Sequence, residues 1–193
     1  MAAQSPLQTL DARRSVPSKQ LGDPGPDHPT LMRMLESAVR VPDHGKLVPF
    51  RFIRIAGDAR LALGEKLVER TLQLDPEAPE AVIEKDRQRF SYAPLIIAVV
   101  ARLTPGHKVP EQEQLLSAGS VCFALLQAAQ ACGFGAQWLT GWMAYDDAIA
   151  KVLGLEAEEK IVGFIHIGTP RLEAPERDRP DAAALLSDWQ PHD

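Results

Sequence analysis

Apolar positions recur with two different periods along this chain, and the periods separate predicted helices from predicted strands. Apolar residues at helical spacing over 30–41 predict an amphipathic helix, which we expect to reach Arg40 before Pro42 removes a backbone donor. A run of aromatic and β-branched residues at 50–55 is typical of a strand. Two polar helices are expected next, near 58–73 and 77–90.

The second half of the chain is more apolar, and its pattern predicts the centre of the fold. The uninterrupted run PLIIAVVAR from Pro94 indicates a central strand covered on both faces. The segment 110–132 loses its polar face, so we expect a helix surrounded by protein, with small residues that permit another helix to approach, including across a subunit boundary. FGAQWLTG predicts a strand and a tight turn, followed by a helix near 145–153 and a strand at 160–168. Together these elements predict an α+β fold with helices on a central mixed sheet.

Length and composition favour one domain over residues 1–193. With 193 residues and 45% apolar content, the chain can bury a sizeable core. Prolines and the polar stretch PERDRPD predict an extended tail from about residue 170. We expect this tail to pack against other protein, because Leu185, Leu186 and Trp189 would otherwise be exposed.

Charge and cysteine content bear on partners and location. The net charge of -5 comes from 26 acidic and 21 basic residues spread along the chain, which disfavours nucleic acid or an anionic membrane as partner and favours a small substrate. The pattern shows neither a leader segment nor a long apolar span, so we expect a cytoplasmic protein. Cys122 and Cys132 lack metal-ligand spacing and are expected to be buried free thiols.

Two clusters of polar residues are candidates for binding. A short helix expected over 5–15 ends in Arg13, Arg14 and Ser15, which offer two guanidinium groups and a hydroxyl to a phosphate, or simply complement the helix dipole. Arg40 and His44 flank Pro42-Asp43 and are able to converge on one ligand, whereas Asp43 is equally suited to capping the next turn. No second histidine or cysteine stands at ligand spacing, so a metal site is disfavoured.

Other motifs leave their alternatives open or are absent. Trp138, Leu139, Thr140 and Gly141 form a turn whose amides suit a planar ring system, or a core tryptophan beside an ordinary turn. His107 and Lys108 lie in a loop, where they either face a ligand or are solvated. The sequence contains no dinucleotide-binding glycine motif, no P-loop and no serine-hydrolase elbow.

Taken in order, several segments carry a resemblance. ARRS, RVPDHGKLVPFRF, APLIIAVVA, HKVPEQEQLLSAGSVCFALLQAAQACGFGAQWLTG and KIVGFIHIGTP resemble the nitroreductase family, and its short bacterial branch in particular, over roughly residues 5–170. The resemblance implies an intertwined homodimer with the nitroreductase fold that binds FMN at the subunit interface. It also implies transfer of electrons from NADH or NADPH to a nitroaromatic, quinone or related acceptor, with ping-pong hydride transfer through the flavin.

The same resemblance implies roles for particular residues. Arg13, Arg14 and Ser15 would hold the flavin phosphate and ribityl chain, together with Arg177 or Arg179 from the tail. Arg40 and His44 would contact the flavin across the dimer interface, so that His44 positions the cofactor. The segment Trp138, Leu139, Thr140 and Gly141 would lie along the isoalloxazine ring, with an amide near Thr140 and Gly141 aimed at N5 and Arg14 near the reduced ring. No catalytic side chain is expected, because the flavin carries the chemistry.

The chain departs from the wider family at several positions in the His44 segment. Asp43 and Lys46 stand where the family has asparagine, and Val48-Pro49-Phe50 stands where it commonly has Gln-Pro-Trp. Two other functions remain open. One is an FMN-binding carrier or sensor without significant turnover, its pocket closed by Phe50 and the tail. The other is a different reaction on the same scaffold, such as reductive dehalogenation or oxidative breakdown of the flavin.

Overall fold

The computed structural model describes residues 7–191, in which helices cover both faces of a five-stranded sheet. The strands run in the order β1-β5-β3-β2, and β4 pairs with β5 as well. Their bounds are Leu21–Gly22 for β1, Phe50–Ala56 for β2, Leu95–Arg102 for β3, Gly135–Leu139 for β4 and Glu159–Pro170 for β5.

The helices fall into two groups, one on each face of the sheet. α2 and α5 pack on one face, whereas α3 and α6 pack on the other, with α4 against α3. Their bounds are Gln8–Asp11 for α1, His28–Ala38 for α2, Asp58–Leu74 for α3, Glu80–Arg87 for α4, Glu111–Ala131 for α5, Asp147–Val152 for α6 and Ala182–Leu185 for α7.

Strand β3 is the centre of the core, as the sequence predicted. Its residues from Leu95 to Ala101 are all buried, with Ile97 and Val99 facing α5 and α2, and Ile96 and Ala98 facing α3. The predicted mixed sheet is wrong for this chain, because every strand pairing within residues 7–191 is antiparallel. Coverage on both faces produces the same apolar run whatever the direction of the neighbouring strands, so the pattern did not report it.

Helix α2 ends earlier than predicted. The carboxylate of Asp27 caps its start by accepting a hydrogen bond from the Thr30 amide at 2.9 Å. Its last residue is Ala38, and Arg40 lies beyond the helix rather than inside it. Proline disfavours helical backbone in the residue before it, so the helix ends before Pro42 is reached.

Helix α5 is covered on one side only. Leu116 is 62% exposed and Phe123 48%, so the prediction that this helix is surrounded by protein is wrong within one chain. Cys122 is buried, and burial raises the pKa of its thiol to about 12. Cys132, predicted to be buried, is exposed at the end of the helix.

Glu176 of the tail pairs with Arg14, but the end of the tail does not pack on its own chain. Residues 171–181 contain no helix or strand, and Leu185, Leu186 and Trp189 in and after α7 are more than 70% exposed. Three large apolar side chains in contact with water are unfavourable, so this surface has the character of one that another molecule covers. Within residues 7–191, no helix has both the length and the apolar character needed to cross a membrane.

Candidate functional site

The segment after α1 is fixed to the edge of β4. The amide of Val16 donates to the carbonyl of Ala136 at 3.0 Å, which adds one backbone hydrogen bond at the edge of the sheet. Two glutamine side chains hold its ends: Gln130 accepts from the Arg14 amide at 3.1 Å, and Gln137 accepts from the Ser18 amide at 2.6 Å. The predicted Arg13-Arg14-Ser15 cluster therefore lies at one end of the sheet, beside the end of α5.

Four arginines gather at this place, and we call them the arginine cluster: Arg13, Arg14, Arg177 and Arg179. The pKa of Arg13 is lowered by burial first, and then by the positive charges of Arg179, Arg14 and Arg177. The tail residue Glu176 is the anion among them, because its carboxylate pairs with Arg14 and accepts from Arg179 Nη2 at 3.1 Å. Repulsion between the guanidinium groups favours any anion placed there.

The donors of this cluster suit a phosphoryl group. Arg13 Nη1 donates to the hydroxyl oxygen of Ser15 at 3.3 Å, so the hydroxyl proton remains available to a ligand. Guanidinium groups and a hydroxyl make the charge-assisted and neutral hydrogen bonds that a phosphate accepts. An open pocket of about 580 Å³ extends from Arg14 and Glu176 past Gln130.

The predicted turn after β4 has one residue that requires glycine-like freedom. Gly141 has φ of 106°, in a region that side chains rarely adopt. Trp138 and Leu139 point to opposite faces of the sheet edge because side chains alternate along a strand. Trp138 is half-buried against the α5 side of the core, and its indole donates to the Val162 carbonyl at 3.3 Å.

A pocket of about 410 Å³ lies beside Leu139, and we call it the basic pocket. Three cations and one carboxylate line it: Lys19 from the segment after Arg14, and Lys85, Arg89 and Glu84 from α4 and the residues just after it. Sequence reasoning missed these residues. Lys85 and Arg89 are spaced to share a helix face, but nothing in the chain indicated that this face meets the end of β4.

One of these cations is held by a buried carboxylate. Asp86 is 1% exposed, and its Oδ1 accepts from Arg89 Nη2 at 2.8 Å and from Arg89 Nε at 3.2 Å. The same carboxylate accepts from the Thr71 hydroxyl at 2.8 Å and from the Trp142 indole at 3.3 Å. Arg89 is therefore fixed at the boundary between the core and the basic pocket.

A buried histidine lies in the same region. His166 in β5 faces Gln137 across the β4-β5 pair, and its ring stacks on Phe90 with centroids 5.9 Å apart. Its ring nitrogens have no hydrogen-bond partner in the part of the chain that the structure describes. Burial, and to a lesser extent the charge of Arg89, lower the pKa of His166 to about 4, so the ring is neutral at physiological pH.

The loop that carries His44 has a strained backbone. The carboxylate of Asp43 accepts from the amides of Leu47 at 3.1 Å and Val48 at 2.9 Å, so it holds the residues that follow the turn 44–46 and does not cap the turn itself. Lys46 has φ of 55° and Val48 has φ of 49°, and a β-branched residue is a rare outlier there. Strain of this kind persists only where the surrounding contacts impose it.

The structure does not bring His44 into the arginine cluster of its own chain. The His44 side chain is 63% exposed, and its Nδ1 lies 2.7 Å from Glu113 Oε2 near the start of α5. Arg40 shares an open surface pocket with Trp138 and Phe123. His44 and Arg40 are therefore associated with the exposed side of α5.

Two further residues have local structural roles. Ser117 donates its hydroxyl to the Pro42 carbonyl at 2.8 Å, so it supports the loop rather than pairing with a histidine. His107 Nδ1 accepts from the Val109 amide at 3.1 Å, which stabilises its own turn.

Comparisons with known proteins agree on the family and the fold. A sequence profile described as "Nitroreductase family" matches residues 10–169. The chain is 36% identical over 168 residues to an Escherichia coli protein named "Putative NAD(P)H nitroreductase YdjA", covering 87% of this chain and 90% of that protein. A nitroreductase-like protein from Bacillus cereus superposes with a TM-score of 0.81 at 21% identity, covering 97% of both chains. A Desulfovibrio desulfuricans nitroreductase in complex with FMN gives 0.75 at 22% identity, covering 98% of this chain and all of the other.

Proposed function

Because this chain belongs to the nitroreductase family, we propose that it is a homodimeric oxidoreductase that binds FMN and uses NADH or NADPH to reduce a small organic acceptor. When bound, FMN supplies a ring that takes up a hydride from one substrate and returns two electrons to another, which implies ping-pong kinetics. A nitroaromatic or quinone is the acceptor class we propose. The FMN complex of the Desulfovibrio relative and the name of the Escherichia coli relative support this proposal.

The arginine cluster is the observation that carries the proposal. Within residues 7–191, its four guanidinium groups meet the carboxylates of Glu176 and Asp11, which leaves an excess of positive charge for an incoming anion. A phosphate monoester brings nearly two negative charges and three acceptor oxygens, and so competes well with one carboxylate. Arg13, Arg14 and Ser15 would hold the phosphate together with both Arg177 and Arg179.

The flavin ring would lie along the end of β4, between the arginine cluster and the basic pocket. Trp138, Leu139, Thr140 and Gly141 form this seat, and the cations of the basic pocket lie beside it. Arg14 is tied to Glu176 and to the Asp11 carbonyl. We therefore assign the role of the cation near the reduced ring to the basic pocket instead of Arg14.

The exposed side of α5 favours a second copy of the chain as partner. Leu116, Phe123 and Gln127 follow one another at spacings of seven and four residues, so they share a helix face. Gly119, three residues after Leu116, has open space where a side chain would stand, so another backbone can approach closely there. In a symmetric dimer through this face, His44 and Arg40 of one subunit would contact the flavin of the other.

The closure suggested for the carrier alternative does not occur within residues 7–191. Phe50, which was to close the pocket together with the tail, is 6% exposed within the α5 side of the core. The tail leaves its large apolar residues exposed instead of covering the basic pocket.

The experiment is spectroscopic titration of the purified apoprotein with FMN, followed by anaerobic addition of NADH or NADPH. We expect a bound flavin spectrum that bleaches with at least one donor and recovers with menadione or a nitroaromatic. Arg13→Gln should weaken FMN binding about ten- to hundredfold, since a charge-assisted hydrogen bond contributes about 1.5–3 kcal/mol. Arg33→Gln on α2 is the matched control. A colourless protein that takes up no FMN contradicts the proposal, and FMN binding without bleaching supports the carrier.

A further inference from the structure

We propose that Arg89, positioned by the buried carboxylate of Asp86, presents its guanidinium to the flavin ring and raises the reduction potential of the bound cofactor. This inference rests on the proposed function, because it assumes that the ring lies along the end of β4. It assigns to Arg89 a direct electrostatic role and to Asp86 a positioning role. Neither residue belongs to the motifs from which the FMN site was predicted.

One edge of the Arg89 guanidinium is hydrogen-bonded, and the other edge is free. Nε and Nη2 of Arg89 are both engaged by Asp86. Nη1 has no acceptor within residues 7–191, and it lies 3.4 Å from the point where a Cβ on Gly141 would stand. The free edge therefore lies directly beside the turn after β4, in the wall of the basic pocket.

The carboxylate of Asp86 is suited to holding that edge in place. It is saturated by hydrogen bonds from Arg89, the Thr71 hydroxyl and the Trp142 indole, and it is almost wholly excluded from water. Movement of Arg89 away from it would leave a buried charge without its counterion, which is strongly unfavourable. Arg89 is therefore preorganised, and the site need not reorganise when the charge of the ring changes.

The other cations of the basic pocket lack such an anchor. Lys19 is exposed and lies 5.4 Å from the centre of the Tyr92 ring, while Lys85 is exposed near the end of α4. Water screens the charges of exposed groups far more than those of partly buried ones. The Arg89 side chain is only 20% exposed, so water screens its charge less than the charges of the two lysines.

His166 gives a second sign that the charge of Arg89 acts on this region. The buried imidazole is near enough for Arg89 to disfavour its protonation, in the same direction as burial. The imidazole of His166 is consequently neutral, whereas Arg89 carries its charge from the core to the wall of the basic pocket. A group whose field lowers the stability of a nearby cation raises the stability of a nearby anion.

The charge balance of the half-reaction gives the direction of the effect. A hydride carries two electrons and one proton from NADH or NADPH to the neutral oxidised ring, and the donor leaves as NAD+ or NADP+. The ring thereby gains one negative charge. A fixed guanidinium beside it stabilises the reduced form relative to the oxidised form, so removal of Arg89 should make the two-electron midpoint potential more negative.

The test is the midpoint potential of bound FMN, measured by equilibration with a reference dye. We expect Arg89→Gln to lower the equilibrium preference for the reduced form about tenfold, which corresponds to about 30 mV for a two-electron couple. Arg89→Lys, which keeps a charge but cannot make the same two-point contact with Asp86, should give an intermediate value and serves if Arg89→Gln does not fold. Arg33→Gln is the control, since Arg33 is exposed on α2 and pairs with Glu36 there, away from the basic pocket.

The positioning role of Asp86 is tested by a double-mutant cycle. Asp86→Asn should change the potential by different amounts in the wild-type and Arg89→Gln backgrounds, and equal changes would show that Asp86 does not act through Arg89. If all variants bind FMN, and the equilibrium between oxidised and reduced FMN in each variant differs from wild type by less than about twofold, the inference is overturned and the proposed function stands. If wild-type protein binds no FMN, the proposed function fails first.

Discussion

Two histidines of this chain show how differently the same side chain is used. His44 lies on a strained loop at the surface, with one carboxylate neighbour and more than half of its side chain exposed. His166 lies in the middle of the sheet, wholly buried, stacked on Phe90 and without a hydrogen-bond partner in the described chain. His44 is available to another molecule, whereas His166 is available only to its own core. Side-chain chemistry alone does not distinguish them; the surroundings do.

The difference extends to the regions that contain them. The His44 loop and the exposed side of α5 are incompletely packed in one chain, because both leave large apolar side chains exposed to water. The region of His166, Arg89 and Asp86 is complete, since its charges are paired inside one chain. We therefore expect variants near His44 to change assembly and cofactor retention together, and variants near His166 to change properties of a single subunit.

The largest effect should come from a charge on the exposed side of α5. Leu116→Glu should weaken dimerisation at least about hundredfold, because each of two subunits loses the burial of a leucine, about 1.5–3 kcal/mol each. FMN should dissociate with the dimer. Sedimentation velocity and flavin fluorescence over a dilution series measure both. The control is Leu61→Glu on α3, which is 52% exposed and lies away from α5. Unchanged dimerisation of Leu116→Glu would place the interface elsewhere.

A second prediction uses the pKa of His166. Its folded-state pKa of about 4 lies below the ordinary 6.5, so above 6.5 neither state binds the proton. As the pH falls from 6.5 to 4, the unfolded chain takes up a proton that the folded chain refuses, and about 3 kcal/mol of stability is lost. His166→Phe should remove this loss. Urea unfolding at several pH values, compared with a variant of exposed His28, measures it. Parallel pH profiles for wild type and His166→Phe would contradict the buried, neutral imidazole.

Much of this architecture was predictable because it depends on local pattern. The run from Leu95 to Ala101 predicted a strand covered on both faces, and small residues over 111–131 predicted a close-packing helix. Strand direction was not predictable, because an apolar run reports coverage rather than pairing. The end of α2 was placed two residues too late, since proline acts through the residue before it.

The candidate site divides in the same way. Arg13, Arg14 and Ser15 are adjacent in sequence, so their chemistry was visible, and the family resemblance added Arg177 and Arg179. The basic pocket was not visible, because Lys19, Lys85 and Arg89 meet only when α4 packs beside the end of β4. His166 could be noticed in the sequence only as a polar residue within an apolar strand. A polar residue in a predicted central strand is itself a signal, because burial of a polar group without a partner is unfavourable.

Mixed dimers sharpen the assignment of His44. If each flavin contacts the arginine cluster of one subunit and His44 of the other, a dimer of one Arg13→Gln chain and one His44→Ala chain contains one intact site. The homodimers of either variant should bind FMN about tenfold or more weakly than wild type. Differently tagged chains, co-expressed and purified through both tags, should retain half of the wild-type flavin content. Retention no better than in the homodimers would place His44 and Arg13 at the same subunit's site, or His44 at none.

The smallest effect concerns the strain in the His44 loop. Val48 has φ of 49° and is 54% exposed, and asparagine tolerates this backbone conformation far better than valine. Val48→Asn should therefore stabilise the protein by about 1 kcal/mol in chemical unfolding. The control is Val39→Asn, at an exposed residue with φ of -76°, where no strain is relieved. Because the Asp43 carboxylate holds the Val48 amide in either variant, FMN affinity should stay within about twofold of wild type. A gain in stability together with a loss of FMN affinity would instead mean that the strained valine itself fixes the position of His44, and that the loop depends on more than the hydrogen bonds to Asp43.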